Sequence, residues 1–134
     1  MIHFETSFPV RYYETDQMAI VHHSNYFRYF ECARNTMMEE WGYSISKCEE
    51  DGVTIPIVKL ECNFRFPARM GDIITVTAEI DKIPLAKVVV KQKVVNQRGQ
   101  ICAEGQATLG FLDKRTGRPV ACPQRLIDII KEKF

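Results

Sequence analysis

The stretch that decides the fold is SNYFRYFECARNTMMEEW, residues 24–41, because its apolar residues return at steps of three and four. This spacing places one set of residues on a single helical face: Tyr26, Phe30, Ala33, Met37 and Trp41. Gly42 is expected to end the helix. Ser24 or Asn25 is expected to cap its first turn with a side-chain oxygen. A helix of this length measures about 27 Å, more than the ~19 Å width of five paired strands. The sequence therefore predicts a helix that crosses a whole sheet.

The segments around this helix alternate apolar and polar residues, which is the period of a half-buried strand. One such segment precedes the helix and four follow it: 3–15, 58–66, 74–81, 85–95 and 100–112. Short helical pieces are expected at 44–50 and 123–134. Ala103, Gly105 and Ala107 put small side chains on one face of the last strand, where the helix is expected to lie close. The fold class is therefore α+β, with one long helix laid across an antiparallel sheet.

The composition limits the classes of function. The chain has 134 residues with no repeat or linker, so residues 1–134 are expected to form a single domain. A net charge of +1 argues against a nucleic-acid binder, which needs a strong positive field. No apolar run reaches the roughly 18 residues of a membrane span and no signal peptide is recognisable, so a cytoplasmic location is expected. The five cysteines lack a C-x-x-C pair, which indicates reduced thiols.

Residues 12–26 gather reactive side chains just before the long helix, namely Asp16, His22 and His23. Taken alone, Asp16 is either a reactive carboxylate or a loop residue that accepts backbone N–H bonds. As metal ligands, the three side chains lack a fourth partner at a recognised spacing, so no metal site is expected. Ser24 with His23 and Asp16 lacks the G-x-S-x-G elbow of serine hydrolases. Cys32 stays open as a nucleophile, although nothing marks it as activated.

Several short motifs carry a resemblance to a known family. They are Y-Y-E-T-D at 12–16, V-H-H-S-N-Y at 21–26 and F-E-C-A-R at 30–34, followed by F-R-F-P-A-R at 64–69 and G-D at 71–72. With these motifs the chain resembles the hotdog-fold acyl-CoA thioesterases of the 4-hydroxybenzoyl-CoA thioesterase superfamily, and within it the YbgC-like group. The resemblance covers nearly the whole chain, and its first block is the most specific part.

The resemblance implies a hotdog fold, in which a five-stranded antiparallel sheet wraps the long helix, and a homo-oligomer that is a dimer or a dimer of dimers. It places the catalytic aspartate of the family on Asp16, as general base or as nucleophile. It also places at His23 the helical turn whose backbone N–H polarises the thioester carbonyl; a further role for the His23 side chain stays open, and His22 is assigned to structure. Many relatives have glycine where this chain has Ala19, which makes transfer of a relative's substrate unsafe.

The implied substrate is an acyl-CoA, with no metal or redox cofactor. Tyr26 and Phe30 are candidates for the acyl pocket, although aromatic residues at helical spacing are more often core. Coenzyme A carries phosphates, so a local basic cluster is expected, with Arg69 and Lys87 as the leading pair. Glu31 and Arg34, three residues apart on the helix, are expected to form an ion pair.

Two other functions fit the same fold. One is a hydratase that acts on an enoyl thioester, and the other is a module that binds acyl-CoA without turnover. The motif around Asp16 favours the thioesterase over both.

Overall fold

The computed structural model describes residues 1–134 and consists of seven strands, three α-helices and a single 3-10 turn. The strands are β1 Ile2–Pro9, β2 Val53–Thr54, β3 Ile57–Phe64, β4 Ile73–Ile80, β5 Lys87–Val95, β6 Ile101–Gly110 and β7 Leu112–Asp113. The helices are α1 Ser24–Glu40, α2 Ile45–Glu50 and α3 Gln124–Lys133, and the 3-10 turn is Tyr12–Glu14. None of the helices is both long enough and apolar enough to cross a bilayer.

Five of the strands form one antiparallel sheet in the order β1-β4-β5-β6-β3, and β2 pairs with β7 in a small ribbon. The α1 helix packs on one face of the large sheet, mainly against β4, β1 and β5. All four strands predicted after the helix are present, as is the strand before it. The predicted α+β architecture is therefore confirmed.

The face of α1 that meets the sheet is the predicted one. Phe30 and Ala33 are fully buried, Tyr26 and Met37 nearly so, and Trp41 lies just past the end of the helix. Because the inner face of the sheet is apolar, these residues and the sheet form two adjoining cores, one for each half of α1.

The predicted cap of α1 is wrong. Neither Ser24 nor Asn25 accepts a hydrogen bond from the first turn. Ser24 is already inside the helix, and its N–H donates to Nδ1 of His22 at 3.3 Å. The Asn25 amide instead donates to the backbone carbonyl of Glu14 at 2.8 Å, which ties the helix to the 3-10 turn before it.

Two predictions about the strands next to β6 are also wrong. The β3 strand alternates in sequence, yet both of its faces are exposed, because α1 covers β1, β4 and β5 and leaves this edge bare. Gly105 does not make room for the helix. A Cβ atom added to Gly105 would collide with the backbone carbonyl oxygen of Glu61, so glycine is required by the close approach of β3 to β6.

Candidate active site

The loop between β1 and α1 is held by short backbone contacts. It includes the 3-10 turn Tyr12–Glu14, after which the chain doubles back to reach the helix. The backbone carbonyl of Glu14 accepts hydrogen bonds from the N–H of His22, at 2.9 Å, and from the side chain of Asn25, at 2.8 Å. The loop that carries Asp16 is therefore tied to the first turn of α1.

Asp16 lies in the middle of this loop. Its backbone N–H donates to the carbonyl of Ile20 at 2.9 Å, and its Oδ1 accepts the N–H of Met18 at 2.8 Å. Its Oδ2 has no hydrogen-bond partner in the chain. The loop role and the reactive role are therefore compatible, because one carboxylate oxygen anchors the side chain while the other is free.

Ala19 is the one residue other than glycine with a positive φ, +61°. In this left-handed conformation the Cβ atom crowds the following carbonyl oxygen, at a cost of about 1–2 kcal/mol. The N–H of Ala19 closes the turn by donating to the carbonyl of Asp16 at 3.0 Å. The alanine therefore keeps the turn that positions Asp16, at a cost in backbone energy that glycine would not have.

The start of α1 provides a free donor. The backbone of His23 has helical angles, and its N–H makes no hydrogen bond within the chain. The next two N–H groups are occupied by His22: that of Ser24 by its Nδ1 atom and that of Asn25 by its carbonyl. His23 thus offers an unpaired N–H at the positive end of the helix dipole.

Asp16 and His23 line the same cleft, which has a volume of about 300 Å³. Most of its other walls are apolar and come from the loop before α1, from Tyr26 in the first turn of α1 and from the segment around Phe64. Tyr26 lines this wall, and its hydroxyl accepts the N–H of Ala68 at 3.2 Å. Burial raises the pKa of Tyr26, so its hydroxyl stays protonated. A free carboxylate oxygen and a free N–H beside apolar walls suit a reaction in which a carbonyl oxygen gains negative charge.

The histidine side chains form neither a catalytic triad nor a metal site. Nδ1 of His22 lies 2.8 Å from Oγ of Ser24, and no carboxylate contacts either histidine ring. The ring of His23 lies edge-on to Phe64, with 6.3 Å between their centroids. No group of three or more His, Cys, Asp or Glu side chains is arranged to hold a metal ion.

The thiol that lines the cleft is Cys102. Burial raises its pKa to about 11, so it is a neutral thiol near pH 7 and a poor nucleophile. Cys32 is exposed on α1 and lies outside the cleft, and all five cysteines are free.

Comparison with known proteins identifies the family. The sequence model of the thioesterase-like superfamily matches residues 10–130, which includes the cleft and the whole sheet except β1. This chain belongs to the thioesterase-like superfamily.

Named members of the thioesterase-like superfamily match most of the chain. It is 30% identical over 111 residues to the putative acyl-CoA thioesterase YneP of Bacillus subtilis, which covers 83% of this chain and 80% of that protein. It is 27% identical over 126 residues to the acyl-CoA thioester hydrolase YbgC of Escherichia coli, covering 92% and 94%. The crystal structure of a DHNA-CoA thioesterase from Staphylococcus aureus superposes with a TM-score of 0.91 at 24% identity, covering 98% and 91%. This likeness confirms the hotdog fold.

Only some of the predicted substrate-binding residues lie at or near the cleft. Tyr26 lines the cleft beside Asp16, whereas Phe30 is completely buried in the core and lines no cleft. Arg69 lies next to the Asp16 loop, and its backbone N–H donates to Asp72 at 2.9 Å. Lys87 begins β5 and lies at the other end of the sheet, about 27 Å away by the length of β4. Within one chain, Arg69 and Lys87 do not form a common phosphate site.

The predicted ion pair between Glu31 and Arg34 is absent. Arg34 turns inward instead, and its Nη1 donates to Oε1 of Gln92 at 2.9 Å. The helical spacing of the two residues was correct, but the inner face of the sheet supplies a closer acceptor.

Most of the other cleft residues were not predicted as site residues, and Phe64 and Cys102 are the two that bear on the chemistry. Phe64 was interpreted as an inward residue of a covered strand, and Cys102 as an ordinary packing residue. The position of Phe64 inside the motif at 64–69 was the available signal. Nothing in the sequence marks Cys102, because its place beside Asp16 depends on the pairing of β6 with β3.

Proposed function

We propose that this member of the thioesterase-like superfamily is an acyl-CoA thioesterase, which converts an acyl-CoA and water to a carboxylic acid and free coenzyme A. The observation that carries the proposal is that one cleft is lined both by Asp16, whose Oδ2 has no hydrogen-bond partner, and by His23, whose N–H is unpaired. The names of the relatives YneP and YbgC support the same reaction.

In the proposed reaction the thioester carbonyl oxygen points at the N–H of His23. As the carbonyl carbon is attacked, its oxygen gains negative charge, which the N–H and the helix dipole stabilise. Because this donor belongs to the backbone, it is in place before the substrate arrives. The side chain of His23 is exposed beside it and is free to approach the leaving sulfur.

Asp16 supplies the reactive oxygen. Its carboxylate either removes a proton from the attacking water or attacks the carbonyl carbon itself to form a mixed anhydride that water then hydrolyses. Both routes end with the carboxylic acid and the thiol of coenzyme A, and neither calls for a metal or a redox cofactor. Mass spectrometry of Asp16 after turnover in ¹⁸O water detects the anhydride route when water opens the anhydride at the Asp16 carbonyl, because only that step places the label in its carboxylate.

We propose further that the protein acts as a homo-oligomer in the cytoplasm, built from a dimer in which β3 pairs with its own copy. This strand is at the edge of the sheet, contains no proline and exposes large apolar side chains, with Phe64 51% and Leu60 37% accessible. The unpaired backbone N–H and C=O groups of such an edge can pair with another strand. A two-fold axis through Leu60 would set Lys59 opposite the partner's Glu61, so the charges on the outer face would match.

The test is release of free thiol from a panel of aliphatic, branched and aryl acyl-CoAs. Loss of Asp16 in Asp16→Asn is expected to lower kcat/KM at least about a hundredfold, the range of a lost general base. Asp128→Asn, an exposed change of the same charge on α3, is the matched control and is expected to keep the native rate. If the native chain cleaves no thioester, or if Asp16→Asn matches it, the mechanism is wrong.

The same panel addresses the two alternatives. Hydration of an enoyl-CoA without thiol release would indicate a hydratase. Binding of acyl-CoA without any turnover would indicate a carrier. Light scattering that shows a monomer at micromolar concentration would contradict the proposed dimer.

A further inference from the structure

The loop that carries Asp16 is a small hairpin. The N–H of Asp16 donates to the carbonyl of Ile20 at 2.9 Å. The N–H of His22 donates to the carbonyl of Glu14, also at 2.9 Å, and between these two bonds the arms form an antiparallel bridge. One arm ends at Asp16 and the other leads directly into His23. The distance between the reactive carboxylate and the free N–H therefore depends on how this hairpin is held against α1.

Two side chains of α1 bind Glu14, the residue at the base of the hairpin. The amide of Asn25 donates to the backbone carbonyl of Glu14 at 2.8 Å. The hydroxyl of Tyr29 donates to Oε1 of Glu14 at 3.1 Å. Because Asn25 and Tyr29 are four residues apart, they lie on one face of the helix. Glu14, Asn25 and Tyr29, which we call the clamp, thus fix one residue of the hairpin at two successive turns of α1.

The clamp is buried, and its carboxylate is paired on both oxygens. The backbone N–H of Arg11 donates to Oε1 of Glu14 at 2.8 Å, and Nη1 of Arg11 lies 3.5 Å from Oε2. Burial, and then the charge of Glu14, raise the pKa of Tyr29, so its hydroxyl remains a donor. Burying polar groups costs free energy that apolar side chains of similar size do not incur. In return, the directed hydrogen bonds fix one orientation of the hairpin on the helix.

The clamp lies close to the reactive pair but outside its cleft. None of its three residues lines the cleft that contains Asp16 and His23. Glu14 precedes Asp16 by two residues, and Asn25 follows His23 by two residues. A movement at the clamp therefore reaches both reactive groups through short stretches of backbone. A misplacement of reacting groups by about 1 Å can lower a rate about a hundredfold.

We propose that Glu14, Asn25 and Tyr29 are positioning residues, which hold the carboxylate of Asp16 at the distance from the His23 N–H that the reaction requires. This inference rests on the proposed thioesterase function. Because the clamp lies outside the cleft, its loss should lower kcat and leave KM nearly unchanged. The clamp uses the carboxylate of Glu14 as a hydrogen-bond acceptor, so the negative charge itself is not required.

Two tyrosine variants separate positioning from stability. Tyr29→Phe removes the hydroxyl that binds Glu14. For the acyl-CoA that the native protein cleaves fastest, it is expected to lower kcat at least about tenfold and to change KM less than about twofold. Tyr43→Phe is the matched control, because the buried Tyr43 hydroxyl also donates to a carboxylate, that of Asp51, at 3.0 Å. Tyr43 belongs to the other core and lies outside the cleft, so this variant should lose similar stability in urea unfolding and keep the native kcat.

Variants of Glu14 test whether it acts as an acceptor or as a charge. In Glu14→Gln the side-chain oxygen still accepts from the Tyr29 hydroxyl and the Arg11 N–H, so kcat should stay within about threefold of native and its pH profile should keep its shape. Glu14→Ala has no such acceptor and should lose at least as much kcat as Tyr29→Phe. A loss in Glu14→Gln as large as that in Glu14→Ala would show that the charge itself acts and would contradict the proposed role.

Amide hydrogen exchange follows the hairpin without any substrate. Asn25→Ala removes the second bond between α1 and Glu14. In this variant and in Tyr29→Phe, the N–H groups of Asp16 and His22 should exchange faster than in Tyr43→Phe, because the hairpin bonds open more often once the clamp is lost.

The outcomes distinguish the inference from the function on which it rests. If the native protein cleaves no acyl-CoA, the proposed function fails and the positioning role fails with it. If it cleaves acyl-CoA while Tyr29→Phe and Asn25→Ala both keep the native kcat, the inference is wrong and the function stands. Equal losses of kcat in Tyr29→Phe and Tyr43→Phe would also overturn it, because lost stability would then explain both. If Tyr29→Phe does not fold, Asn25→Ala and the two Glu14 variants decide the question.

Discussion

Replacing Gln92 with leucine tests how the protein keeps a cation buried. Gln92 is 1% exposed and Arg34 is 8% exposed. Oε1 of Gln92 accepts from Nη1 of Arg34 at 2.9 Å and is the one acceptor that the guanidinium has in the chain, while Nε2 of Gln92 donates to the carbonyl of Phe30 at 2.9 Å. Burial lowers the pKa of Arg34, and Glu31 on the same helix offsets only part of this effect.

The magnitude follows from the loss of this acceptor. A hydrogen bond to a charged group contributes about 1.5–3 kcal/mol, and a buried charge left without a partner costs roughly 3–5 kcal/mol. Because Arg34 keeps slight access to water, we expect Gln92→Leu to lower the free energy of unfolding by about 3 kcal/mol. For a chain of 134 residues this corresponds to a fall in Tm of about 11 °C.

Urea unfolding at one fixed protein concentration measures this effect, since assembly makes apparent stability depend on concentration. Gln106→Leu, at a β6 position that makes no side-chain hydrogen bond, is the control and should change stability by less than about 0.5 kcal/mol. The double variant Arg34→Met with Gln92→Leu should recover much of the loss, because neither partner is then left unpaired. A loss below about 1 kcal/mol for Gln92→Leu, or simple additivity in the double variant, would refute the reasoning.

Three further changes have defined outcomes in unfolding experiments. Ala19→Gly should raise the free energy of unfolding by up to about 1 kcal/mol, because it removes a Cβ atom from a backbone with φ of +61°; a less stable variant would contradict this. Gly105→Ala should cost at least about 2 kcal/mol, because its Cβ atom meets the Glu61 carbonyl, and a native Tm would contradict it. Burial acts to raise the pKa of Asp72, but hydrogen bonds, the strongest from Gln97, hold it below the usual value. The stability from Asp72 is therefore present above about pH 4 and lost as pH falls through the folded pKa, so Asp72→Asn should flatten the fall in stability below about pH 4. An unchanged pH profile would count against that role.

Much of the fold could be predicted because its signals are local. The three- and four-residue steps of residues 24–41 need no knowledge of the rest of the chain, and α1 ends at Glu40, one residue before the predicted end of the helix at Trp41. The alternation of the later segments likewise located β4, β5 and β6. What alternation could not show is which strand lies at an edge. The faces of β3 are exposed because of its place in the sheet order, which is a property of the pairing and not of β3 itself.

The candidate site likewise has one part that the sequence could predict and another part that depends on the tertiary structure. Asp16 and His23 were predicted as candidates from the short motifs that carry the family resemblance, and the carboxylate and the helix start are close along the chain. The sequence by itself determined the long helix and the strands, and it brought the candidate pair together along the chain, since each of these depends on neighbours within a few residues. Only the tertiary structure decided that the His23 N–H is free, that Phe64 and Cys102 wall the cleft, and that Arg34 turns to Gln92. Those contacts join residues far apart in the chain, and they exist only once the sheet has brought its strands together around α1.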